Sequence, residues 1–203
     1  KIGLVYNFNR EEADLTKSLV HPYVPRFPRH VSYDLVLFGS WRRKGVYVGE
    51  KQIASPGSYP VAGFNFAPMY NLNYKLRFGV SLDGVYDGSA NVYTEDALVE
   101  YDAGSGSSRR KFLVPGIQNQ LALGLSGRAE YVMPFFTIGV GLGTNVLGRG
   151  DLRGLYQVFA LKINVTRSSF LHIGYNLQDF QTPNYLMLGL GFRFNNKYPK
   201  VRH

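Results

Sequence analysis

The sequence predicts an all-β fold: an eight-stranded antiparallel up-and-down transmembrane β-barrel with a polar, side-chain-filled lumen. Three observations carry that expectation. From about residue 32 onward, apolar residues alternate with small or polar ones at a period of two, in segments of about ten residues. The connections between these segments alternate long and short. No stretch of the 203 residues approaches the roughly 18 apolar residues of a membrane helix, yet only 18% of the residues are charged, well under the roughly 25% of a soluble domain. Strands of a membrane barrel alternate, so their apolar face is hidden from any average.

Taken in order, the first strand covers residues 32 to 42 around Leu35 and Leu37. Residues 61 to 73 set Phe64, Phe66 and Tyr70 against Asn65, Asn71 and Asn73. Leu76, Phe78, Val80 and Leu82 then oppose Arg77, Gly79, Ser81 and Asp83. Leu121, Leu123 and Leu125 oppose Gln120, Gly124, Ser126 and Arg128, and Phe136, Ile138, Val140 and Leu142 oppose Thr137 and three glycines. Phe159, Leu161, Ile163 and Val165 lie opposite Ala160, Lys162 and Asn164. In the seventh strand Leu171, Ile173, Tyr175 and Leu177 oppose Phe170, His172, Gly174, Asn176 and Gln178. The last, Tyr185 to Phe194, has Leu186, Leu188, Leu190, Phe192 and Phe194 on one face and Tyr185, Met187, Gly189, Gly191 and Arg193 on the other.

Short turns fall near Leu72 to Lys75, Val132 to Pro134 and Thr166 to Ser169. Longer connections run from Arg43 to Tyr59, Asp87 to Lys111, Leu147 to Arg153 and Asp179 to Pro183. Three turns at one end and four loops at the other is the rhythm of an up-and-down barrel with both termini on the turn side. The Gly104-Ser105-Gly106-Ser107-Ser108 run sits in the longest loop, as expected of an outer loop. Residues 1–31, with Pro22, Pro25 and Pro28, are expected to form an N-terminal extension, 32–194 the barrel and 195–203 a tail. The chain opens Lys1-Ile2-Gly3 with no apolar signal core, as expected of a product whose signal is removed or of a chain without one.

The two faces decide which side meets lipid. A set holding Arg77, Asp83, Arg128, Glu130, Lys162, His172, Asn176, Gln178 and Arg193 cannot line an apolar ligand cup. Exposing the Leu/Phe/Ile face to water would create a patch far beyond that of a soluble monomer. Charges taken inside must pair, so Arg77, Arg128, Lys162 and Arg193 are expected to meet Asp83, Glu130 and Asp34 in a network that plugs the lumen. Trp41, Tyr70, Tyr74, Tyr131 and Tyr156 are expected in the aromatic girdles.

Gly154-Leu155-Tyr156-Gln157, Ala160-Leu161-Lys162 and the closing Gly189-Leu190-Gly191-Phe192-Arg193-Phe194 resemble the outer-membrane lipid A 3-O-deacylase family, in its acyloxyacyl-hydrolase-like Bacteroidota branch. Leu76-Arg77-Phe78-Gly79-Val80, followed by Asp83 and Tyr86-Asp87, is similar to that branch too. The resemblance spans residues 32 to 194. It implies an outer-membrane barrel with both termini periplasmic, whose Ser, His and Glu on late strands hydrolyse an acyl ester of lipid A.

That chemistry needs a nucleophile, a base and a carboxylate to orient the base. If His172 is the histidine of the family's His-x-Ser, the residue two positions on is Gly174, without a hydroxyl. Counting back from the terminal Gly-Phe-Arg-Phe puts Met187 at the carboxylate and Asp179 or Phe180 near the histidine. Neither register supplies a triad. One His-x-Ser does occur, at His30-Val31-Ser32, and with Asp34 it makes a same-face row if the strand already begins there. His172, His30, Ser32 and Asp34 are therefore the catalytic candidates.

Basic clusters lie on the long-loop side, at Arg42-Arg43-Lys44 and Arg109-Arg110-Lys111, where arginines suit lipid A phosphates. A net charge of +9 does not make a nucleic-acid binder, because the aromatics follow strand parity rather than interleaving with basic residues. With no cysteine, disulfides, thiolate metal sites and cysteine nucleophiles are excluded. No metal-spaced cluster or phosphate-cradling loop suggests a cofactor. The sequence therefore supports a non-catalytic barrel that binds lipid A or serves as an accessory subunit beside other outer-membrane proteins, its N-terminal extension reaching a partner. An active lipid A ester hydrolase is the alternative, and a structural barrel or adhesin acting through residues 87–111 is a further one.

Overall fold

A computed structural model describes residues 26–48, 51–55, 57–102, 107–180 and 182–197. Strands β1 (His30–Arg42), β4 (Tyr59–Asn71), β5 (Leu76–Asp87), β8 (Leu121–Val132), β9 (Phe136–Leu147), β10 (Leu155–Asn164), β11 (Ser169–Gln178) and β12 (Thr182–Phe194) close into one barrel. Each pairs antiparallel with its chain neighbour, and β1 pairs with both β4 and β12 to shut the cylinder. Strands of 10 to 13 residues match the length that a tilted strand needs to cross hydrocarbon. Closure leaves no sheet edge, the condition for β-structure in lipid.

Two hairpins stand in the long connections, β2 (Gly45–Val48) with β3 (Lys51–Ala54), and β6 (Tyr93–Asp102) with β7 (Ser107–Leu113). The sequence predicts loops at both segments because neither carries a one-sided apolar pattern, and the structure pairs them as hairpins. Ser107 and Ser108 of the Gly/Ser run open β7, while residues 103–106 lie outside the described set. The first barrel strand starts at His30 rather than at 32, because His30 and Val31 pair with Asn71 and Tyr70. β12 likewise starts three residues ahead of Tyr185.

Three short connections form one end of the barrel, here the turn end, which also holds the chain at residues 26–29 and 195–197. Side chains tie these turns. Asn73 Oδ1 accepts from the backbone N–H of Lys75 and of Leu76, both at 2.8 Å, and Thr166 Oγ1 accepts from Ser169 N at 3.0 Å. Between β4 and β5 the ladder is interrupted at Ala67 and Pro68, as expected where proline has no N–H to give. Gly79 fits this interruption, since a Cβ there would lie 2.0 Å from the Pro68 carbonyl oxygen.

The alternating faces fall as the pattern requires. Val80, Leu125 and Leu190 point outward, 60%, 52% and 55% exposed. Trp41, Tyr74, Tyr131 and Phe135 stand exposed near the two rims. Tyr156, expected in a girdle, instead points inward and is buried. Its parity with Val158, Ala160 and Lys162 puts it in the lumen, and its hydroxyl donates to Asp83 Oδ2 at 2.6 Å. Inside, the barrel holds an apolar cluster toward the loop end, with Phe38, Tyr156, Tyr185 and Met187, above a band of buried charge.

Candidate functional site

Each strand sends every second side chain inward, so the lumen is assembled across strands. Asp34 of β1 is its hub. Its carboxylate accepts from Arg77 Nη2 at 2.5 Å, from Lys162 Nζ at 2.9 Å and from Arg193 Nε at 2.9 Å. Glu130 of β8 shares two of those cations, accepting from Arg77 Nε and from Lys162 Nζ, each at 2.6 Å. The ring of Phe170 lies 5.0 Å from Lys162 Nζ and 5.2 Å from Arg193 Cζ, close enough for cation–π attraction.

Asp83 of β5 makes a second knot. It accepts from Arg128 Nη2 at 2.9 Å, from Ser81 Oγ and Ser126 Oγ at 2.6 Å each, and from Asn65 Nδ2 at 2.7 Å. A carboxylate with so many donors is well compensated for leaving water. The space left among Asp34, Glu130, Arg128, Lys162 and His172 is about 10 Å³, room for about one water molecule. This is a packed plug, not a conduit.

The row His30, Ser32 and Asp34 is present on the inward face of β1, and all three are buried. They do not act together. His30 Nδ1 lies 2.6 Å from the Pro28 carbonyl oxygen, and Nε2 accepts from Lys197 N at 3.0 Å. Ser32 Oγ accepts from Asn71 Nδ2 at 2.8 Å, and Asp34 is committed to its three cations. The histidine thus anchors the tail against the first strand.

His172 lies inward on β11, 2% exposed, opposite Lys162 of β10 and Gly189 of β12. Neither ring nitrogen has a hydrogen-bond partner among the described residues. Gly174 is the next inward position, and Met187 faces it directly across the β11–β12 ladder. A Cβ built on Gly174 would sit 2.6 Å from Met187 Cε and 2.7 Å from His172 Nε2. The three positions converge, but they bring one imidazole, no hydroxyl and no carboxylate. Among the described residues no group of three His, Cys, Asp or Glu side chains is placed to hold a metal ion.

The family model of the acyloxyacyl hydrolase C-terminal domain matches residues 31–196. The chain belongs to this family. No curated protein sequence matches it. Similar solved structures include Ail, the attachment invasion locus protein of Yersinia pestis, at 16% identity and a TM-score of 0.41, with 81% of this chain and 98% of that one covered. Neisserial surface protein A is similar at 15% identity and a TM-score of 0.38, covering 82% and 96%. At this distance the likeness carries nothing about function. Family membership and the apolar outer belt make the protein an outer-membrane β-barrel.

At the loop end of this acyloxyacyl hydrolase-family barrel, two of the three residues of the first basic cluster are already paired. Arg42 Nη1 donates to Asp87 Oδ2 at 3.1 Å and also bonds Asn184. Lys44 pairs with Asp151, whose carboxylate further accepts from Asn91 N at 3.1 Å. Burial alone would raise the Asp151 pKa; the hydrogen bond and charge of Lys44, with the Asn91 amide, outweigh it and hold the carboxyl below the ordinary range. Arg43 is exposed. Arg109, Arg110 and Lys111 lie on β7, and their side chains fall outside the described set. Sequence reasoning missed Asn65, Ser81, Ser126 and Tyr156 as ligands of Asp83, although strand parity places all four on its face.

Proposed function

We propose that this protein is a non-catalytic member of the acyloxyacyl hydrolase family that works by binding, to lipid A or as an accessory subunit of an outer-membrane protein complex. One observation supports the reading: with His172 as the histidine the nucleophile position is Gly174, and the residue facing it across the ladder, Met187, brings no carboxylate. The remaining candidates support it, since His30, Ser32 and Asp34 each spend their polar atoms on structural partners. Access argues the same way, because an ester in the lipid layer does not reach an imidazole walled inside a plugged barrel. On this reading the turn end, with both termini, faces the periplasm, and the N-terminal extension reaches a partner. The loop end then lies level with lipid A, where exposed Arg43 is the member of the first basic cluster available to a phosphate.

Mass spectrometry of lipid A from outer membranes with and without the expressed protein tests this. The expected spectrum is unchanged while the barrel is shown to be folded. Loss of the mass of one acyl chain would establish the hydrolase instead.

A further inference from the structure

At the turn end the lumen opens into a cavity of about 700 Å³, within the roughly 300–1,000 Å³ of small-molecule sites. Lys75, Arg77, Arg167, Arg193 and Lys197 line it, and no carboxylate among the described residues does. At the loop-end mouth, by contrast, Arg42 and Lys44 sit among Asp87, Asp151 and Asp179 and pair with the first two, so the cations there are matched by acids.

The floor of this vestibule is built, not incidental. Arg77 and Arg193 are buried against Asp34, whose Oδ2 accepts from Nη2 of both, at 2.5 and 3.3 Å. These pairs, and that of Arg77 with Glu130, use Nε and Nη2 of the guanidiniums, and Nη1 takes no part in them. Asp34 and Glu130 also serve Lys162, so three cations share two carboxylates and positive charge remains. Locked guanidiniums bind an anion without paying ordering entropy at that moment, and their fork geometry suits phosphate.

The walls are apolar on one side: Phe27, Tyr74, Val132 and Met133 line the same cavity, and the rings of Phe27 and Tyr74 meet edge-on at 4.9 Å between centroids. Tyr74, Tyr131 and Phe135 are exposed around this end, where interfacial aromatics mark the headgroup level of a bilayer. We propose that the turn-end vestibule is a binding site for an anionic phosphate amphiphile, a phospholipid of the leaflet at that end, with phosphate on the Arg77–Arg193 floor and glycerol and acyl carbons along the Phe27–Tyr74 wall. The site is separate from the lipid A chemistry of the loop end and stands whether or not the protein is a hydrolase.

Native mass spectrometry of the full chain in non-ionic detergent tests it with four probes: dihexanoyl phosphatidylglycerol, dihexanoyl phosphatidylcholine, inorganic phosphate and oligoglutamate. The expected result is one retained phosphatidylglycerol per barrel, with phosphatidylcholine and free phosphate held at least about tenfold more weakly. Lys75→Gln with Lys197→Gln, both exposed lining residues of the vestibule rim, should lower phosphatidylglycerol retention by at least about tenfold. Equal retention of the two lipids, or no effect of the double variant, overturns the proposal. Free phosphate held as tightly as the lipid overturns the amphiphile, and preference for oligoglutamate replaces it with an acidic protein partner.

Discussion

Replacing Asp34 with Asn tests whether the lumen is held by charge. Asn keeps the size and shape of the side chain, so what is lost is one negative charge at the meeting point of Arg77, Lys162 and Arg193. Asp34 is 1% exposed, and water does not replace it. Glu130 would then face Arg77 and Lys162 alone, and Arg193 would lose both hydrogen bonds described for its guanidinium. A charge-assisted hydrogen bond contributes about 1.5–3 kcal/mol, and breaking a buried pair from one side costs about 3–5 kcal/mol. Glu130 still neutralises two of the cations, but Arg193 is left without its partner, so the higher range is the better expectation, about 3–5 kcal/mol out of a total of roughly 5–15. Trp41 is the only tryptophan and stands on the outside, 76% exposed, so its fluorescence reports transfer from lipid or detergent to water during equilibrium unfolding in guanidinium. Asp34→Asn should lower the stability read in this way by the stated amount. Adding Arg193→Gln removes the cation left without a partner, so the double variant should recover about 1–3 kcal/mol relative to Asp34→Asn. A single variant within about 1 kcal/mol of the parent, or a double variant whose loss is simply the sum of the singles, would refute the view of Asp34 as an electrostatic hub.

Two further outcomes follow from the same geometry. Gly174→Ser forces its Cβ against Met187 and His172; it should fold with a loss of about 1–3 kcal/mol and still fail to hydrolyse a p-nitrophenyl acyl ester, whereas hydrolysis would show that the lumen is reachable by substrate. The Lys44–Asp151–Asn91 clamp contributes stability only while Asp151 is ionised. Its carboxyl is depressed in the fold, so that contribution is full above the ordinary carboxylate range near pH 4 and is lost as pH falls through the lower folded value. Limited proteolysis of the loop end should accelerate below about pH 4 in the parent and show no such step in Asp151→Asn.

Period-two alternation made the barrel legible because it follows directly from strand geometry and from having lipid on one face. Arg77, Asp83, Arg128, Glu130, Lys162 and Arg193 share the small-residue face for that reason, and the structure joins them into two ion-paired knots. At Tyr156 residue type and strand parity conflict, and parity decides. Tyrosine suits a membrane rim, but its position two residues before Val158 and four before Ala160 already put it inside. The loop hairpins were illegible for the converse reason. Outside the membrane a strand need not have one apolar face, and β6 carries Glu95, Asp96 and Glu100 within its ten residues.

The candidate catalytic row shows where reading along one strand stops being informative. Same-face spacing permits a bond without assigning one: Ser81 Oγ does reach Asp83 at 2.6 Å, while His30, two positions from Ser32 on β1, bonds Pro28 and Lys197 instead. What decides is the competition from other strands, from a diagonal neighbour on the adjacent strand and from long side chains that reach across the lumen. Ser32 is claimed by Asn71 of β4 and Asp34 by cations from β5, β10 and β12. By the same logic the informative triple is His172, Gly174 and Met187, separated by up to fifteen positions in sequence but neighbours across β11 and β12. Gly174 leaves the cross-strand space that Met187 and the His172 ring occupy. His172 stands directly opposite Lys162 and borders the same space as Asp34 and Glu130, so this triple packs against the charged plug as one part of a single filled lumen.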